Sequence, residues 1–398
     1  MSTKDSIIFV EINNYEFIFV AGFLNENKNF ELSQVVKTPL KGIQDKKITN
    51  LELVSNIIKE NIYSIEQKSN FIFKEVILVN NYFNCSLINF TGFKKLNGSQ
   101  LNKDNITYIL NLLKSKISEI EKQKIILHIF NTKYVLDQKK IDNLPIGLFG
   151  NLYSQELSFV LIDKNDYKNL INIFEICNLR IKKIISKKFL DGVNIINKDI
   201  NHETFFRVEI NENDIEIIFF QNSALKFVQS FKFGSNLILN DISKVIALNT
   251  QVIRKILMNS NFSNRKLDTE LVEKEFFDNN NYRKIRKKLI FEIAKARIEE
   301  LSELVIYKNI NIKSFLKKNS AVFLKINDLS SQKSFEECYR TYFSNNFQLD
   351  LKFLKDLTLQ EFYNTASRIV QYGWKQEAVP IIQEKKSIIA RFFNKIFN

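Results

Sequence analysis

The sequence predicts an α/β protein built as two similar halves around a cleft, and three observations lead there. The stretch IIFVEINNYEFIFVAG, Ile7–Gly22, reads as two apolar strands joined by a short polar turn. FRVEINENDIEIIFF, Phe206–Phe220, repeats that pattern roughly half a chain later, with the same Val-Glu-Ile-Asn leading into the turn. Strand-like runs then alternate with segments of helical apolar spacing in both halves, which is the pattern of layered α/β folds. At 398 residues and 45% hydrophobic content, the chain is long enough for two or more subdomains and can fill their cores.

The elements follow in order. Ile7–Val20 and the succeeding FELSQVVKTPLKGI form an antiparallel meander. NLELVSNIIKENIYSIEQK sets Leu53, Ile57, Ile58, Ile62 and Ile65 at helical spacing. KEVILVNNYF is a short buried strand, NKDNITYILNLLKSKISEIEKQ an amphipathic helix, and KIILHIFNTKYVLD a strand pair. LSFVLIDKNDYKNLINIFEICNLRIKKII gives a strand, a helix and a further strand. After the second hairpin, SNLILNDISKVIALNTQVIRKIL and RKIRKKLIFEIAKARIEELSELV read as helices, AVFLKIND as a strand, and TLQEFYNTASRIVQYGWKQ as a helix. A β-β-β-α-β-α unit therefore occurs twice, with insertions.

Composition narrows the partners. The 9 Gly and 3 Pro are few for this length, and heavy use of Lys, Asn, Ile and Phe is the mark of AT-rich codons. A net charge of +14 favours acidic partners, but no dense basic run with interleaved aromatics singles out nucleic acid. Cys85, Cys177 and Cys338 are widely spaced and fit neither a metal site nor a disulfide framework, which suits a reducing cytoplasm. With His128 and His202 as the only histidines, a His-based centre has little to draw on, and His128 in its apolar strand reads as a core residue. There is no signal-peptide pattern and no apolar run near the ~18 residues of a spanning helix, so a soluble or peripheral protein is expected.

The motifs resemble those of the cell-division actin family FtsA. A duplicated hairpin with an acidic strand end is the mark of actin-like ATPases, where each half wraps the nucleotide phosphates with one turn. LPIGLFG (Leu144–Gly150), with YVLD upstream at Tyr134–Asp137, is similar to the family's Asn-Pro-x-Gly-x-x-Gly segment. ICNLRIKKII resembles its Cys-Gly-Leu-x-Val segment, and Glu292, Arg297 and Glu300 in FEIAKARIEELSELV its Glu-(x)4-Arg-x-x-Glu helix. FYNTASRIVQYG (Phe362–Gly373) resembles its Tyr-x-Thr-Ala helix, and the closing basic–aromatic segment its membrane-targeting helix. The pilus-assembly actin PilM shares much of this plan without the terminal helix.

The resemblance implies an actin-like, duplicated ribonuclease H-like fold with an FtsA-type inserted subdomain. On that plan, 1–83, completed by about 162–203, is the first half, and 84–161 the insert. Residues 204–242 and 318–375 form the second-half core, 243–317 a helical subdomain, and 376–398 a linker and amphipathic helix. The implied role is an adaptor and filament-forming scaffold that tethers the tubulin-like division protein FtsZ to the inner membrane, on its cytoplasmic side at the division site. The insert would recruit later division proteins.

The nucleotide loops depart from the family. Phosphate loops use glycine so that backbone N–H groups can approach phosphate oxygens. The family's Asp-Ile-Gly-Gly-Gly-Thr becomes Glu209, Ile210, Asn211, Glu212, Asn213 and Asp214. Gly-Thr-x-Lys becomes Asn13, Asn14, Tyr15 and Glu16, and a nucleoside-contacting Thr-Gly-Gly falls on Lys325, Ile326 and Asn327. At an effective dielectric near 20, like charges 4 Å apart repel by ~4 kcal/mol. Two such contacts offset most of a micromolar affinity of ~8 kcal/mol. Two readings stay open: Glu11, Glu209 and Asp214 hold Mg²⁺ for ATP, or Glu212 and Asp214 are solvated turn residues and no cofactor is bound. The positions at issue are therefore Glu11, Asn13, Glu209, Asn211, Asp214, Lys325 and Asn327. Enzyme activity is correspondingly open, a working ATPase being one rival and a PilM-type binding module another.

Two further segments bear on partners. In SIIARFFNKIFN, at about 100° per residue, Ile388, Ile389, Phe392, Phe393, Ile396 and Phe397 share an arc of roughly 180°. Arg391 and Lys395 lie opposite, which suits a helix in the interface of an anionic membrane; packing on the body is the alternative. In RKIRKK, Arg283, Arg286 and Lys287 fall where the family receives the acidic FtsZ tail, and a solvated helix face is the alternative there. Trp374 reads as packing.

Overall fold

The computed structural model describes residues 6–199, 201–259, 269–277, 282–344 and 348–378, apart from the side chains of Leu329 and Gln332. It divides into two compact units, Met1–Leu190 with Leu359–Asn398, and Asp191–Thr358.

In the first unit, β1 (Ser6–Ile12), β2 (Glu16–Leu24) and β3 (Phe30–Pro39) make the expected meander. β1 is buried without a break from Ile8 to Ile12, so both faces of the sheet are covered at that strand. The short pair β4 (Ile43–Gln44) and β5 (Lys47–Ile48) leads into α1 (Leu51–Ser69). That helix starts where the Asn50 side chain accepts from Leu53 N–H, and it ends at Asn70 in the left-handed region. Its buried stripe contains Ile57, Ile58, Ile62 and Ile65 as the spacing predicts, but Val54 takes the place of Leu53, which is 38% exposed. β6 (Glu75–Asn80) then pairs in parallel with β1.

The segment that follows builds its own sheet. β7 (Cys85–Lys95), α2 (Lys103–Ile120), β8 (Lys124–Leu136), β9 (Lys139–Ile141) and β10 (Leu152–Asp163) form an antiparallel sheet of order β7-β10-β8-β9 with α2 against β7. α2 is fixed at its start by reciprocal Asn102 and Asn105 hydrogen bonds, a capping box. β8 is one long strand where the sequence suggests two. Asn131 and Thr132 stay within it, the Thr132 hydroxyl donating to Glu156 O beside a register shift. α3 (Lys164–Ile176), capped by Asp163, and β11 (Arg180–Ser186) complete a main sheet of order β11-β6-β1-β2-β3, followed by α4 (Lys187–Lys198).

The second unit repeats the plan. β12 (Phe205–Ile210), β13 (Ile215–Gln221) and β14 (Ala224–Phe231) form the meander. Next come α5 (Asn236–Ile246), α6 (Thr250–Asn259) and α7 (Lys287–Ser302), then β15 (Ala321–Ile326), α8 (Leu329–Ser344) and β16 (Asp350–Phe353). β15 lies parallel to β12, and the order β14-β13-β12-β15-β16 reproduces the first sheet strand for strand. The two hairpins thus occupy equivalent places in separate sheets. α5 and α6 are distinct helices where the sequence pattern predicts one, because Ala247 turns left-handed (φ 49°) and Asn249 caps the second. α7 begins at Lys287 rather than Arg283, since Arg286 is extended and bridged to Leu271.

α9 (Leu359–Tyr372) follows the second-half strands in sequence, and the sequence assigns it to them, yet it packs in the first unit, along β3. The reason is visible at the sheet edge. Asn364 Oδ1 accepts from Phe30 N–H at 2.9 Å and Gln360 Oε1 from Leu32 N–H at 2.8 Å, so the helix satisfies donors that an edge strand leaves open.

The packing of α2 on β7 gives a direct test. A Cβ at Gly92 would lie 2.4 Å from Ile109 Cγ2, so Gly92→Ala should lower stability by about 1–3 kcal/mol in urea unfolding. Stability equal to the parent would mean that α2 does not sit this close.

Candidate functional site

At the first hairpin, Asn13 closes the turn: its backbone N–H donates to Glu16 O at 3.2 Å, and its Oδ1 accepts from the N–H groups of Tyr15 and Glu16. Glu16, the anion found where the family has a cation, pairs with Lys37 of β3 at 3.1 Å. Glu11, one residue from the end of β1, is 2% exposed. Its Oε1 lies 2.6 Å from Lys187 Nζ of α4, and its Oε2 accepts from the Tyr363 hydroxyl of α9 at 3.0 Å. Burial, reinforced by the Glu11 charge, pushes the Tyr363 pKa well up, so the phenol stays protonated and donating.

The second hairpin is held on more sides. Asn211 N–H donates to Asp214 O at 2.9 Å and Asn211 Nδ2 to Asp214 Oδ1 at 2.8 Å. Asn327, just past β15, donates through Nδ2 to Glu209 Oε1 (2.7 Å) and Asn211 Oδ1 (2.6 Å). Its backbone N–H donates to Ile210 O, as that of Asn81 does to Ile12 O in the first unit. Glu209, Asn211, Asp214 and Asn327 are thus brought together as the sequence placed them. Lys325, opposite Glu209 in the β12–β15 register, carries its ammonium to Asp356 at 2.8 Å.

Several residues that hold this turn were not singled out from the sequence. Gly234 lets the chain pass against it, for a Cβ there would lie 2.2 Å from Asn211 O. The N–H groups of Ser235 and Asn236, at the start of α5, then donate to Asn211 O and Glu212 O, each at 2.9 Å. Helix-start N–H groups are the donors that anions use, and here the turn's own carbonyls take them. Arg254 of α6 pairs with Glu212 (3.1 Å) and with buried Asp328 (3.4 Å), which also accepts from the Ser235 and Ser330 hydroxyls. The Asp-x-Ser-Ser run at Asp328 is a legible helix start; Arg254 and Gly234 carry no such local signal.

Beneath the turn, Arg207 is 5% exposed and pairs with Glu209 at 2.6 Å and Asp191 at 3.2 Å. Burial acts to raise the Glu209 pKa, but Arg207 and the Asn327 hydrogen bond outweigh it and hold it at about 2. Among the described residues, no group of three or more His, Cys, Asp or Glu side chains is placed to hold a metal ion. These turns contain no glycine, carry carboxylates at Glu16, Glu212 and Asp214, and have the N–H groups of Asn13, Tyr15, Glu16 and Asn211 bonded within the chain.

The basic residues read as partner-binding separate in role. Arg283 donates to the carbonyls of Ile246 and Ala247 at the end of α5, a C-terminal cap. Lys287 is 6% exposed and pairs with Glu273 and Glu270, whereas Arg286 is exposed at the start of α7. Arg297 of the Glu-(x)4-Arg-x-x-Glu helix ties α7 to Asp241 of α5 and pairs with Glu300. His128 is a buried, fully hydrogen-bonded core residue, and Trp374 packs edge-on to Phe189. The proposed membrane face, Ile388, Ile389, Phe392, Phe393, Ile396 and Phe397 with Arg391 and Lys395, lies outside the described residues. No helix among those described is long and apolar enough to cross a membrane.

No family model matches the chain. It is 22% identical to cell division protein FtsA of Buchnera aphidicola subsp. Schizaphis graminum, over 98% of this chain and 96% of that one. FtsA of Neisseria meningitidis serogroup B is 19% identical over 75% of this chain and 72% of its own. Among solved structures, a chain of a PilM-PilN type IV pilus biogenesis complex aligns with a TM-score of 0.54, over 92% of this chain and 96% of that one, at 8% identity. That likeness is one of fold, and the fold is the actin-like α/β fold expected from the sequence.

The Glu209 pair predicts a pH signature. A carboxylate whose pKa falls from 4.5 to about 2 on folding contributes stability above pH 4.5 and loses it between pH 4.5 and 2. Glu209→Gln should therefore be less stable than the parent by roughly 3 kcal/mol at pH 7, at 1.36 kcal/mol per unit, with the gap closing toward pH 2. Urea unfolding across pH reads this, and a gap independent of pH would refute the role of the ion pair.

Proposed function

We infer that this FtsA-like, actin-fold chain is a cell-division adaptor: it binds the C-terminal tail of FtsZ and carries it to the anionic inner membrane through its closing amphipathic segment. The observation that supports this most is the continuous match to FtsA relatives along 98% of the chain. Within this reading the protein sits peripherally on the cytoplasmic side of the membrane at the division site. It assembles with copies of itself and presents the Cys85–Asp163 sheet to later division proteins. Exposed Arg286 is the residue of the basic trio best placed to meet an acidic peptide. One interfacial helix binds reversibly, and neighbouring copies would add avidity without new contacts.

The same reading holds that ATP binding is lost or greatly weakened. Its support is that both hairpins are held from within: Lys187 and Tyr363 meet Glu11 at the strand end in one unit, and Ser235, Asn236, Asn327 and Arg254 meet the second turn in the other. Calorimetry with Mg-ATP should find binding much weaker than micromolar. A micromolar or tighter Kd would restore the ATPase reading.

The adaptor role is tested by flotation. FtsZ should rise with anionic vesicles when this chain is present and stay behind when it is absent. Changing Phe392 and Phe393 to Glu should abolish that recruitment while leaving FtsZ binding in solution and the melting temperature near the parent's. Arg391→Ala with Lys395→Ala should weaken it less, most visibly at low salt, since each surface cation contributes roughly 1 kcal/mol and is screened. Recruitment by the Phe double variant equal to the parent's would remove the anchor from the reading.

A further inference from the structure

The described residues that follow α9 stay on the body. After Gly373 (φ 73°), the chain lies antiparallel to β8 of the Cys85–Asp163 sheet: Asn131 N–H donates to Gln376 O and Ala378 N–H to Ile129 O, each at 2.8 Å. Ala378 reaches the core of that sheet, and Trp374 packs against Phe189. A pairing this short has few hydrogen bonds to hold it against water.

What reinforces it is charge. Glu377, with its side chain 10% exposed, sits between His128 Nδ1 of β8 (2.7 Å) and Lys183 Nζ of β11 (2.9 Å). The proton on His128 can be placed from its partners. Ser186 N–H of β11 donates to Nε2 at 3.1 Å, so Nε2 is the acceptor and Nδ1 carries the proton given to Glu377. One carboxylate thus joins the separate sheet, the main sheet and the C-terminal segment. A carboxylate buried this far is stable only while its partners stay in place.

We propose that Glu377 is a latch: it holds Trp374–Ala378 on β8, and displacement of β8 relative to β11 releases it. Latched, Trp374–Ala378 lies along β8; released, the chain is held only as far as Gly373. Trp374–Ala378, at roughly 3.3–3.6 Å per extended residue, then adds on the order of 17 Å of reach. Glu377 adds to the backbone pairing that joins Trp374–Ala378 to the Cys85–Asp163 sheet, so whatever the sheet binds shifts the latch in proportion to its preference for one state. The consequence for membrane reach rests on the adaptor reading; the latch itself does not.

The full chain in solution, without vesicles, provides the test, and its single tryptophan, Trp374, is a built-in probe. Glu377→Lys should red-shift Trp374 emission, raise acrylamide quenching and speed tryptic cleavage after Lys375 at least tenfold. Amide exchange at Asn131 and Ala378 should rise at least tenfold while the β8–β10 ladder keeps its protection. Lys183→Met, which leaves the His128 contact, should give a smaller shift of the same kind. Unchanged exchange at Asn131 and Ala378 in Glu377→Lys would overturn the proposal. So would equal loss of protection throughout the sheet, which would make Glu377 a general core residue. Because no membrane or FtsZ is present, these outcomes are independent of the flotation result.

Discussion

A carboxylate inside a protein must be met by a partner, and much of the first unit is organised around meeting one. Glu11 draws Lys187 from α4 and Tyr363 from α9 to the same strand end, although these residues lie 176 and 352 positions away in the sequence. Those contacts tie both helices to the end of β1. Removing either partner leaves a buried charge short of its hydrogen bonds, so the three residues stand or fall as a group. The second unit solves the same problem differently, with Arg207 beneath Glu209 and Asn327 beside it. Equivalent strands end in equivalent acids, and each has acquired a local counterpart.

That difference explains what a sequence reading can reach. The meanders, the parallel strands and most helices are legible because alternation and helical spacing are local, and burial follows them closely. The repeated Val-Glu-Ile-Asn stretch located equivalent strand ends, and the structure gives both sheets the same order. Where the reading failed, a tertiary contact decided. Val54 replaces Leu53 on the buried face of α1, and Asn131-Thr132 runs through β8 without turning because Thr132 finds a carbonyl at a register shift. α9 belongs with a strand more than three hundred residues earlier because its amides match that strand's open donors. At the site, Glu209, Asn211, Asp214 and Asn327 were found as a set, since three sit on one hairpin and the fourth follows the neighbouring strand. Lys187, Tyr363 and Arg254 were not, because a lysine, tyrosine or arginine in a helix carries no local mark of the acid it will meet.

The hairpin turns are held in a way that differs from what a phosphate loop requires. A phosphate loop needs small residues and free N–H groups, and both needs oppose stability in the empty protein. Here Asn13 and Asn211 fold their side chains onto their own turns, and the start of α5 donates to carbonyls of the second. Such turns are held in shape by the chain itself.

The covering of β3 by α9 has a consequence in time as well as in space. Phe30 and the Asn364 side chain that accepts its N–H are 334 residues apart. At roughly 5–20 residues per second of synthesis, the edge emerges on the order of 17–67 s before the helix that closes it. For that interval the nascent chain presents unsatisfied strand donors beside apolar residues, the arrangement most apt to recruit another strand. Slow translation, or a ribosome stalled before residue 359, lengthens that interval.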